Sequence, residues 1–252
     1  MKALLRWVVL VLGAALAVQL YFAGRIALMA LVDPQSTAFQ RSEIYRLVVD
    51  KGSLKWRQQW VPYAELSDNL KRAVIVSEDA TFIEHEGVDL EALEKAWEKN
   101  TQAEQRAQKA ASRLGSKAAP AGSGQAARAP KIVGGSTITQ QLAKNLFLSG
   151  ERTLMRKGQE LLLTLMLEAL LSKQRILEIY LNNVEWGEGV FGAEAAAQHY
   201  FRKPASRLSA YEAARLAVML PRPKYFETRP GSGYLASRAS TIAARMGGVE
   251  VP

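Results

Sequence analysis

Hydrophobic positions form one long run at the start of the chain and recur with helical spacing over most of the rest. The opening stretch MKALLRWVVLVLGAALAVQLYFAG carries Lys2 and Arg6, and then no charge over residues 7–24. About 20 apolar residues are enough to cross a bilayer, so we predict a membrane anchor within residues 1–33. Residues 15–17 also fit a signal-peptide cleavage site, but the apolar run continues well past them, which favours an uncleaved anchor.

The charges beside this run bear on its orientation. Lys2, Arg6 and the amino terminus predict a cytoplasmic N-terminal tip and an extracytoplasmic body, because positive charge is retained on the cytoplasmic side. Arg25 and Arg41 follow the run and weaken this argument. We expect a single-pass membrane protein with its main domain outside the cytoplasm.

Three segments follow the anchor with different patterns. The stretch EIYRLVVDKGSLKWRQQWVPY predicts two strands joined by a turn at residues 51–52. The stretch SDNLKRAVIVSEDATFIEHEG predicts a helix with Ser67 or Asp68 as its N-cap. The stretch DLEALEKAWEKN has the spacing of an amphipathic helix. Its apolar face comprises Leu90, Leu93, Ala96 and Trp97.

Residues 103–130 change in composition to Ala, Gly, Ser and basic residues, with almost no large apolar side chain. Such a segment buries too little surface to order itself, so we predict a mobile loop whose first part extends the preceding helix. A solvated linker explains it more simply than a lipid-binding element. An anionic surface would nevertheless attract its basic residues and the next one, which are Arg106, Lys109, Arg113, Lys117, Arg128 and Lys131.

After residue 131 the pattern is helical throughout. The predicted helices are TITQQLAKNLFL, TLMRKGQELLLTLMLEALL, SKQRILEIYLNNV, GVFGAEAAAQHYF and SAYEAARLAVML. The second is apolar nearly all round after Glu160, which predicts a central helix. Ser172 is expected to cap the third, and Ser209 with Glu212 forms a capping box at the start of the last. The fold class predicted is therefore mainly α, with β structure only in the N-terminal pair.

Size and charge narrow the class of protein. The 252 residues are 48% hydrophobic, enough for an anchor and one domain of about 200 residues, which we place at residues 34–252. The net charge of +9 favours anionic partners such as nucleic acid, acidic lipids or a phosphate-bearing substrate. The chain has no cysteine, which excludes disulfides, cysteine nucleophiles and cysteine metal sites.

Glu78 is the first candidate for chemistry. The apolar residues 73–76 lead directly into Glu78 and Asp79, and burying charge at the end of a core segment is costly. Most such acids are simply solvated. The crowding of further acids nearby, at Glu84, Glu86 and Asp89, would raise the pKa of one of them and suit a general base, but crowding does not identify which.

Two later stretches carry polar residues in suggestive positions. In GGSTITQQLAKN, Gly134 and Gly135 permit close backbone approach, Ser136 or Thr137 can cap a helix, and its N–H groups would form an anion site. The polar side chains that follow are Gln140, Gln141, Lys144 and Asn145. On this stretch alone, a capped surface helix is the slightly better explanation. In RKGQE, Arg156 and Glu160 share a helix face, which an intrahelical ion pair would explain simply. The cation comes first, which is the weaker order for such a pair, and the pair opens onto an apolar helix, which favours partial burial and a function.

Together these segments resemble the peptidoglycan glycosyltransferases of glycosyltransferase family 51. The motifs EDATFIEHEG, GGSTITQQLAKN, RKGQE, KQRILEIYLN and RLAVMLPRP occur in the family's order and cover about residues 61–226. The anchor and the stretch GVFGAEAAAQHYFRKPAS resemble the monofunctional biosynthetic transglycosylases. This resemblance implies a single-pass protein of the bacterial inner membrane, with a cytoplasmic N-terminus and a periplasmic catalytic domain. The chain contains no S-x-x-K sequence, so we do not expect the transpeptidase activity of the bifunctional penicillin-binding proteins.

The resemblance implies a lysozyme-like fold with a membrane-associated jaw, and it implies a reaction. Lipid II is polymerised into linear glycan strands of peptidoglycan, which supports cell-wall growth and cell shape. The 4-hydroxyl of one GlcNAc attacks C1 of the MurNAc on another chain, the anomeric centre inverts and undecaprenyl diphosphate leaves. Membrane lipids and the growing strand are the expected partners, with penicillin-binding or division proteins as further candidates; nucleic acid is not expected.

The resemblance also assigns roles. Glu78 matches the catalytic base, and Glu160 the second catalytic glutamate, which holds the diphosphate directly or through a divalent ion such as Mg²⁺ or Mn²⁺; no organic cofactor is implied. The implied substrate-binding residues are Asp79, Phe82, Ser136, Thr137, Gln140, Gln141, Lys144, Asn145, Arg156 and Lys157. His85 is expected to orient the loop, and Gly158 to allow close approach of substrate or another helix. The connection over residues 98–131 is longer than is usual in the family.

Two other functions fit parts of the pattern. A muramidase-like hydrolase would also use carboxylates in an α-rich body, but it leaves the Lys and Arg set unexplained. A membrane-tethered scaffold, for instance in cell division, leaves Glu78 and Glu160 unexplained.

Overall fold

The computed structural model describes residues 1–115, 135–148, 150 and 153–252. Its α-helices are α1 (Lys2–Leu28), α2 (Ala38–Lys51), α3 (Asp68–Glu78), α4 (Leu90–Gly115), α5 (Ile138–Phe147), α6 (Leu154–Leu170), α7 (Lys173–Asn183), α8 (Ala193–Phe201), α9 (Ala210–Met219), α10 (Pro223–Glu227) and α11 (Gly233–Arg245). Its strands are β1 (Arg57–Gln58), β2 (Glu185–Gly187) and β3 (Val190–Phe191). The prediction of a mainly α fold is confirmed.

The first predicted N-terminal strand is wrong, because this segment is helix α2. Thr37 begins the helix with a capping box, in which its side chain accepts from the Gln40 backbone and the Gln40 side chain accepts from the Thr37 backbone. Gly52 ends it in the left-handed conformation, with φ 62°. Gln40, Glu43 and Leu47 are buried at helical spacing, so packing on one helix face overrides the β-branched residues of the segment.

The small sheet differs from the prediction in its later strands. Strand β1 lies within the second predicted strand and pairs in parallel with β3, while β2 pairs with β3 in antiparallel orientation. Residues 190–191 were predicted to begin a helix, which is wrong. Phe191 is fully buried and stacks on Trp56 with ring centroids 4.4 Å apart, a contact between segments that no local pattern encodes.

The predicted helix starts are confirmed where a hydroxyl side chain caps the first turn. The capping side chains are those of Ser67, Thr137, Ser172 and Ser209. Each accepts a hydrogen bond from a first-turn N–H that would otherwise lack a partner. At Ser209 the capping box with Glu212 is complete.

Helix α6 is half-buried rather than central. Its inner face carries Glu160, Leu163, Thr164 and Leu167, all buried. Leu161, Leu162, Leu165 and Leu170 on its other side are 41–46% exposed. The all-round apolar pattern therefore does not mean burial on every side here. Part of the outer surface meets helix α1.

The N-terminal helix α1 is long and apolar enough to cross a membrane, and its most apolar window is not buried. This is consistent with a single-pass anchor. Its last turns join the body: Ile26 and Met29 belong to the buried core, and Arg175 donates from Nε to the Met29 carbonyl at 2.7 Å. Gln19 on α1 and Gln159 on α6 exchange two amide hydrogen bonds.

Residues 88–136 form a second compact unit. Helix α4 runs to Gly115, so the first part of the 103–130 segment extends the preceding helix, as expected. The rest of the predicted mobile loop, with Gly134, lies outside the described residues. On the predicted apolar face Ala96 is buried, whereas Leu90, Leu93 and Trp97 are exposed. A Cβ at Gly135 would lie 3.3 Å from the Ala96 Cβ, which confirms a close backbone approach there.

Candidate active site

Glu78 occupies the last position of helix α3, at the end of a buried segment. Leu70, Ala73 and Val74 on this helix are fully buried, and α3 packs against α9 and α11. The helix ends at Asp79, whose backbone N–H still bonds the Ile75 carbonyl. The Glu78 side chain is therefore carried by a rigid helix end rather than by a free loop.

The next residue, Asp79, ties this helix end to helix α5. Its Oδ1 accepts from His85 Nε2 at 2.9 Å, and its Oδ2 accepts from the Ile138 backbone N–H at 2.9 Å. A carboxylate is stabilised at a helix N-terminus by the exposed N–H groups there. The predicted anion site at the start of α5 is thus occupied by the protein's own carboxylate, and the Gln140 N–H is taken by Thr137 Oγ1.

His85 lies in the loop that follows α3 and hydrogen-bonds to residues at both ends of it. Its Nδ1 accepts from the Gly87 backbone N–H at 3.1 Å. Because a backbone N–H only donates, the proton of the neutral ring lies on Nε2, which donates to Asp79. Lys173 donates to the His85 carbonyl and, at 2.9 Å, to Glu168. The prediction that His85 orients the loop is confirmed.

Gly87 ends this loop in a position that only glycine fits well. Its φ is +82°, and a Cβ there would lie 2.7 Å from Thr164 Cγ2 and 2.9 Å from Glu168 Cγ. The Gly87 carbonyl accepts from Thr137 Oγ1 at 2.6 Å. The loop therefore lies directly on α6 and is held from both sides.

The Glu78 carboxylate makes one well-formed hydrogen bond. Gln141 Nε2 donates to its Oε2 at 3.0 Å, while Ser77 Oγ lies 3.5 Å from its Oε1, a long contact. Burial raises the pKa of Glu78 above its ordinary value, and the charge of Asp79 adds to this; the Gln141 and Ser77 hydrogen bonds and the charge of Lys144 oppose it. A raised pKa makes the carboxylate a stronger proton acceptor.

Helix α6 presents a buried carboxylate held by two cations. Arg156 Nη1 donates to Glu160 Oε2 at 2.7 Å, and Lys157 pairs with Oε1. Burial alone would raise the pKa of Glu160, but the hydrogen bonds and charges of Lys157 and Arg156 prevail and lower it. The ion pair suggested by the spacing of Arg156 and Glu160 is present, and the partial burial predicted for it is confirmed. Arg156 Nε is buried and has no hydrogen-bond partner among the described residues.

Lys144 on α5 interacts electrostatically with Glu78 and with the charged residues of α6. Part of its side chain reaches solvent, and across the described ranges no hydrogen bond or ion pair is found for it. Desolvation by the surrounding protein lowers the pKa of Lys144, with Arg156 and Lys157 adding to the effect and Glu160 and Glu78 opposing it. An unpaired ammonium thus lies within the electrostatic reach of both glutamates.

The site as described joins a proton acceptor to a set of cations. Comparison with known proteins gives its family: a model described as Transglycosylase matches residues 47–120 and 116–247. The chain belongs to the transglycosylase family. The resemblance inferred from the five motifs is confirmed.

Several relatives of this transglycosylase are named biosynthetic peptidoglycan transglycosylases. The chain is 54% identical over 240 residues to one from Burkholderia thailandensis, which covers 95% of this chain and 84% of the relative. It is 51% identical over 254 residues to one from Burkholderia orbicola, with 99% and 94% covered. A third, from Burkholderia pseudomallei, is 53% identical over 240 residues, with 95% and 84% covered.

The predicted site residues of this transglycosylase fall into two groups. The residues of the first group are at least partly exposed, or, like buried Glu160, are ion-paired to residues that are. They are Glu78, Gln141, Lys144, Asn145, Arg156, Lys157 and Glu160. The side chains of the second group contact other parts of the protein. Asp79 and Phe82 are buried, and Thr137 forms the capping box of α5 with Gln140. Ser136 is exposed in the second unit. Contact of any of these with substrate stays a prediction.

Tyr180 was missed by sequence reasoning although it touches the site. Its hydroxyl donates to Gln141 Oε1 at 3.0 Å, and the side chain is buried in α7. The signal available in the sequence was its position: Ile176 and Leu177 precede it at core spacing on the helix, and a buried tyrosine hydroxyl generally needs a partner. The identity of that partner is set by the packing of α7 on α5.

The residues around Glu160 do not fit a divalent cation held by this carboxylate. Both of its oxygens are bonded to cationic side chains, and Lys144 adds a third positive charge nearby. A divalent ion prefers free carboxylate oxygens and other oxygen ligands. The expected Mg²⁺ or Mn²⁺ therefore stays a prediction, and Glu160 in this arrangement offers it no free ligand oxygen.

Gly158 was expected to allow close approach of substrate or of another helix. A Cβ at this position of α6 would meet nothing within 4 Å. Within the described chain no other helix comes that close to the Gly158 Cβ position, so the close helix contact expected there is not found, and approach of substrate stays a prediction.

Proposed function

We propose that this transglycosylase polymerises lipid II into linear glycan strands. The 4-hydroxyl of a GlcNAc attacks C1 of the MurNAc that carries the diphosphate of another chain, with inversion at C1. The observation that carries the proposal is the position of helix α5, which bonds Glu78 through Gln141 and packs against α6, the helix of the Arg156–Glu160 pair. Lys144 lies on this same helix, and its charge acts on both glutamates. A proton acceptor and a cationic site for a diphosphate thus belong to one site.

In the proposed reaction Glu78 is the base. Its carboxylate takes the proton of the attacking hydroxyl, the new bond forms between that oxygen and C1, and the bond from C1 to the diphosphate oxygen breaks. The leaving diphosphate takes the electron pair of that bond. A well-placed base contributes about 10²–10⁴-fold to such a step. The rigid end of α3 and the raised pKa of Glu78 suit this task.

The cations on α5 and α6 are proposed to hold the diphosphate. Its negative charge grows as the bond to C1 breaks, and preorganised cations stabilise charge that develops in the transition state. Lys144 is unpaired across the described ranges, and Arg156 has a buried Nε without a partner there. In this arrangement Glu160 acts by positioning Arg156 and Lys157 rather than by touching the phosphates.

The remaining predicted residues are proposed to support the site from within. Asp79 bridges His85 and the first turn of α5, and the Phe82 ring lies 4.7 Å below the Lys173 ammonium. Both fix the loop that follows Glu78. Catalytic groups require such supporting contacts, since small displacements of a base lower the rate strongly.

We propose that α1 crosses the inner membrane once, with the N-terminus cytoplasmic and the domain periplasmic. The apolar residues of α1 and the exposed leucines of α6 would then face lipid, where the substrate's undecaprenyl chain also lies. Growing glycan strand and membrane lipids are the proposed partners. Penicillin-binding or division proteins are further proposed partners, as enzymes or scaffolds that act on the same strand.

The test is polymerisation of lipid II by the purified full chain in detergent or vesicles. Glu78→Gln keeps the size of the side chain but cannot accept the proton, so strand formation should fall at least about 10²-fold. Binding of lipid II should persist. Glu84→Gln is the matched control, because Glu84 is an exposed acid in the same motif and its loss should leave the rate unchanged.

Two results would contradict the proposal. Strand growth at the unaltered rate by the Glu78→Gln protein would exclude Glu78 as base. Release of soluble fragments from finished peptidoglycan, without strand growth from lipid II, would favour the muramidase-like hydrolase instead.

A further inference from the structure

The side-chain amide of Gln141 is engaged at both ends. Its Nε2 donates to Glu78 Oε2, and its Oε1 accepts from the Tyr180 hydroxyl, both at 3.0 Å. Tyr180 is 1% exposed, and Gln141 is the acceptor found for its hydroxyl within the described ranges. The amide therefore forms a bridge between a fully enclosed phenol on α7 and the carboxylate at the end of α3.

The direction of this bridge follows from the donors and acceptors available. An ionised carboxylate only accepts, so the amide NH₂ must face Glu78, and the amide oxygen then faces Tyr180. Burial raises the pKa of Tyr180, and the charges of Glu78 and Asp79 raise it further. The phenol thus keeps its proton over the working range of pH and serves as a permanent donor to Gln141.

We propose that Tyr180 is a positioning residue for the reaction, which holds the Gln141 amide in the one orientation that binds Glu78 Oε2 and leaves Oε1 for the acceptor hydroxyl. The inference rests on the proposed role of Glu78 as base. Without the phenol the amide can rotate by half a turn, which would place its oxygen against the carboxylate. Glu78 would then lose its best hydrogen bond in a fraction of the molecules.

The consequence is electrostatic and has a definite sign. The charged groups that act on Glu78 are Asp79, which raises its pKa, and Lys144 from α5, which lowers it; Ser77 and Gln141 lower it by hydrogen bonding. Weakening the Gln141 bond leaves burial less opposed, so the pKa of Glu78 rises. A base with a higher pKa is protonated at higher pH, so the acid side of the pH–rate profile moves upward.

The experiment compares the full-length wild type with Tyr180→Phe, which removes only the hydroxyl. Turnover number and KM for lipid II are measured across pH, together with the thermal unfolding temperature. The acid limb of kcat should move up by roughly 0.5–1 pH unit, equal to a roughly threefold to tenfold loss on that limb. The two proteins should converge at high pH, and KM should change little.

Tyr200→Phe is the control, since this hydroxyl also donates one hydrogen bond, to the Trp186 carbonyl at 2.7 Å. Its side chain is half-buried and lies in another part of the fold. Both substitutions remove one hydroxyl and its hydrogen bond. A similar loss of stability in both, with the pH profile shifted only in Tyr180→Phe, supports the proposal. An unshifted profile in Tyr180→Phe overturns it and leaves Tyr180 a core residue with a satisfied hydroxyl.

A second variant keeps the test decisive if Tyr180→Phe folds poorly. Gln141→Leu removes the bridge itself and should produce an acid-limb shift at least as large. In the double variant the loss should not exceed that of Gln141→Leu alone, because the phenol acts through the amide; additive losses would overturn the bridge. Failure of the base assignment would be seen separately, as activity of the Glu78→Gln protein, whatever Tyr180→Phe shows.

Discussion

Glu78 and Lys144 illustrate how single side chains acquire reactivity from their surroundings. Partial loss of hydration within the protein disfavours the charged form of each group, so the pKa of Glu78 rises and that of Lys144 falls. Their mutual attraction partly offsets both effects. The result is a stronger base and a cation without an ion pair in the described chain, which are the two properties that glycosyl transfer to a sugar hydroxyl requires.

The lowered pKa of Lys144 predicts an alkaline limit to activity. As pH rises through this pKa the ammonium loses its charge, so binding and departure of the diphosphate weaken at a pH below that expected for an ordinary lysine, whose value is 10.5. Lys144→Arg should move the alkaline limb of kcat/KM to higher pH, because a guanidinium stays charged throughout. The measurement is lipid II polymerisation from pH 7 to the alkaline limit of protein stability.

Lys203→Arg serves as the control for this prediction, since Lys203 forms a surface ion pair with Glu212 at 2.9 Å. Its profile should match that of the wild type. An alkaline limb that stays in place in Lys144→Arg would mean that another group sets it.

Among the structural elements, the loop after α3 shows how the base is held. Asp79, His85 and Gly87 connect the loop to the first turn of α5 and to α6. A loop with this many hydrogen bonds keeps one conformation. Glu78 directly precedes this loop, so its backbone is held in place as well. The cost is a backbone position at Gly87 that few residues tolerate.

Gly87→Ala is predicted to destabilise the protein and to lower turnover. The φ of +82° is unfavourable for alanine, and the added Cβ would clash with Thr164 at 2.7 Å. Strain of this kind costs about 1–3 kcal/mol, which thermal unfolding in detergent can measure, while the displaced loop should reduce kcat in the lipid II assay.

Gly158→Ala is the contrasting substitution within α6. A Cβ there meets nothing within 4 Å, and alanine favours a helix over glycine by about 1 kcal/mol. Unfolding should therefore occur at a higher temperature. Equal destabilisation by the two substitutions would show that the distinction drawn between these two glycines is wrong.

For the molecule as a whole, the N-terminal helix α1 packs directly against helix α6, which carries Glu160. Gln19 and Gln159 exchange amide bonds of 2.9 and 3.1 Å, and Gln159 directly precedes Glu160 in the chain. Phe22 also meets Phe147 of α5 with ring centroids 5.4 Å apart. Helix α1, the proposed anchor, therefore sets how the two cation-bearing helices lie relative to the proposed membrane.

Gln19→Leu is expected to loosen this contact. Hydrogen bonds between helices in apolar surroundings contribute about 0.6 kcal/mol on average and up to about 1.7, and the Gln159 amide would be left without its partner. Thermal unfolding in detergent should occur a few degrees lower, with reduced polymerisation. Gln35→Leu is the control, because this exposed amide only reaches a nearby backbone carbonyl; equal effects from both would contradict the prediction.

The sequence predicted the family, the mainly helical fold and most helix starts, because these depend on short-range chemistry. Ser172 and Ser209 are followed at fixed spacing by the groups they cap. The error over α2 arose because its apolar residues suit a strand as well as a helix. The capping box at Thr37 and Gln40 was present in the sequence and would have favoured the helix.

The sequence predicted which residues belong to the site, but not which hydrogen bonds they form with one another. Motif order identified Glu78, Lys144 and Glu160. The sequence could not show that the Gln141 amide bonds both Glu78 and Tyr180, which lies 39 residues after Gln141 in the chain. Nor could it show that Asp79 occupies the N-terminus of α5, or that α6 is buried on one side only. Periodicity and capping act within a few residues, so one chain suffices to predict them. Burial, pKa and the partner of a buried hydroxyl depend on segments far apart in sequence, and only their packing together defines them.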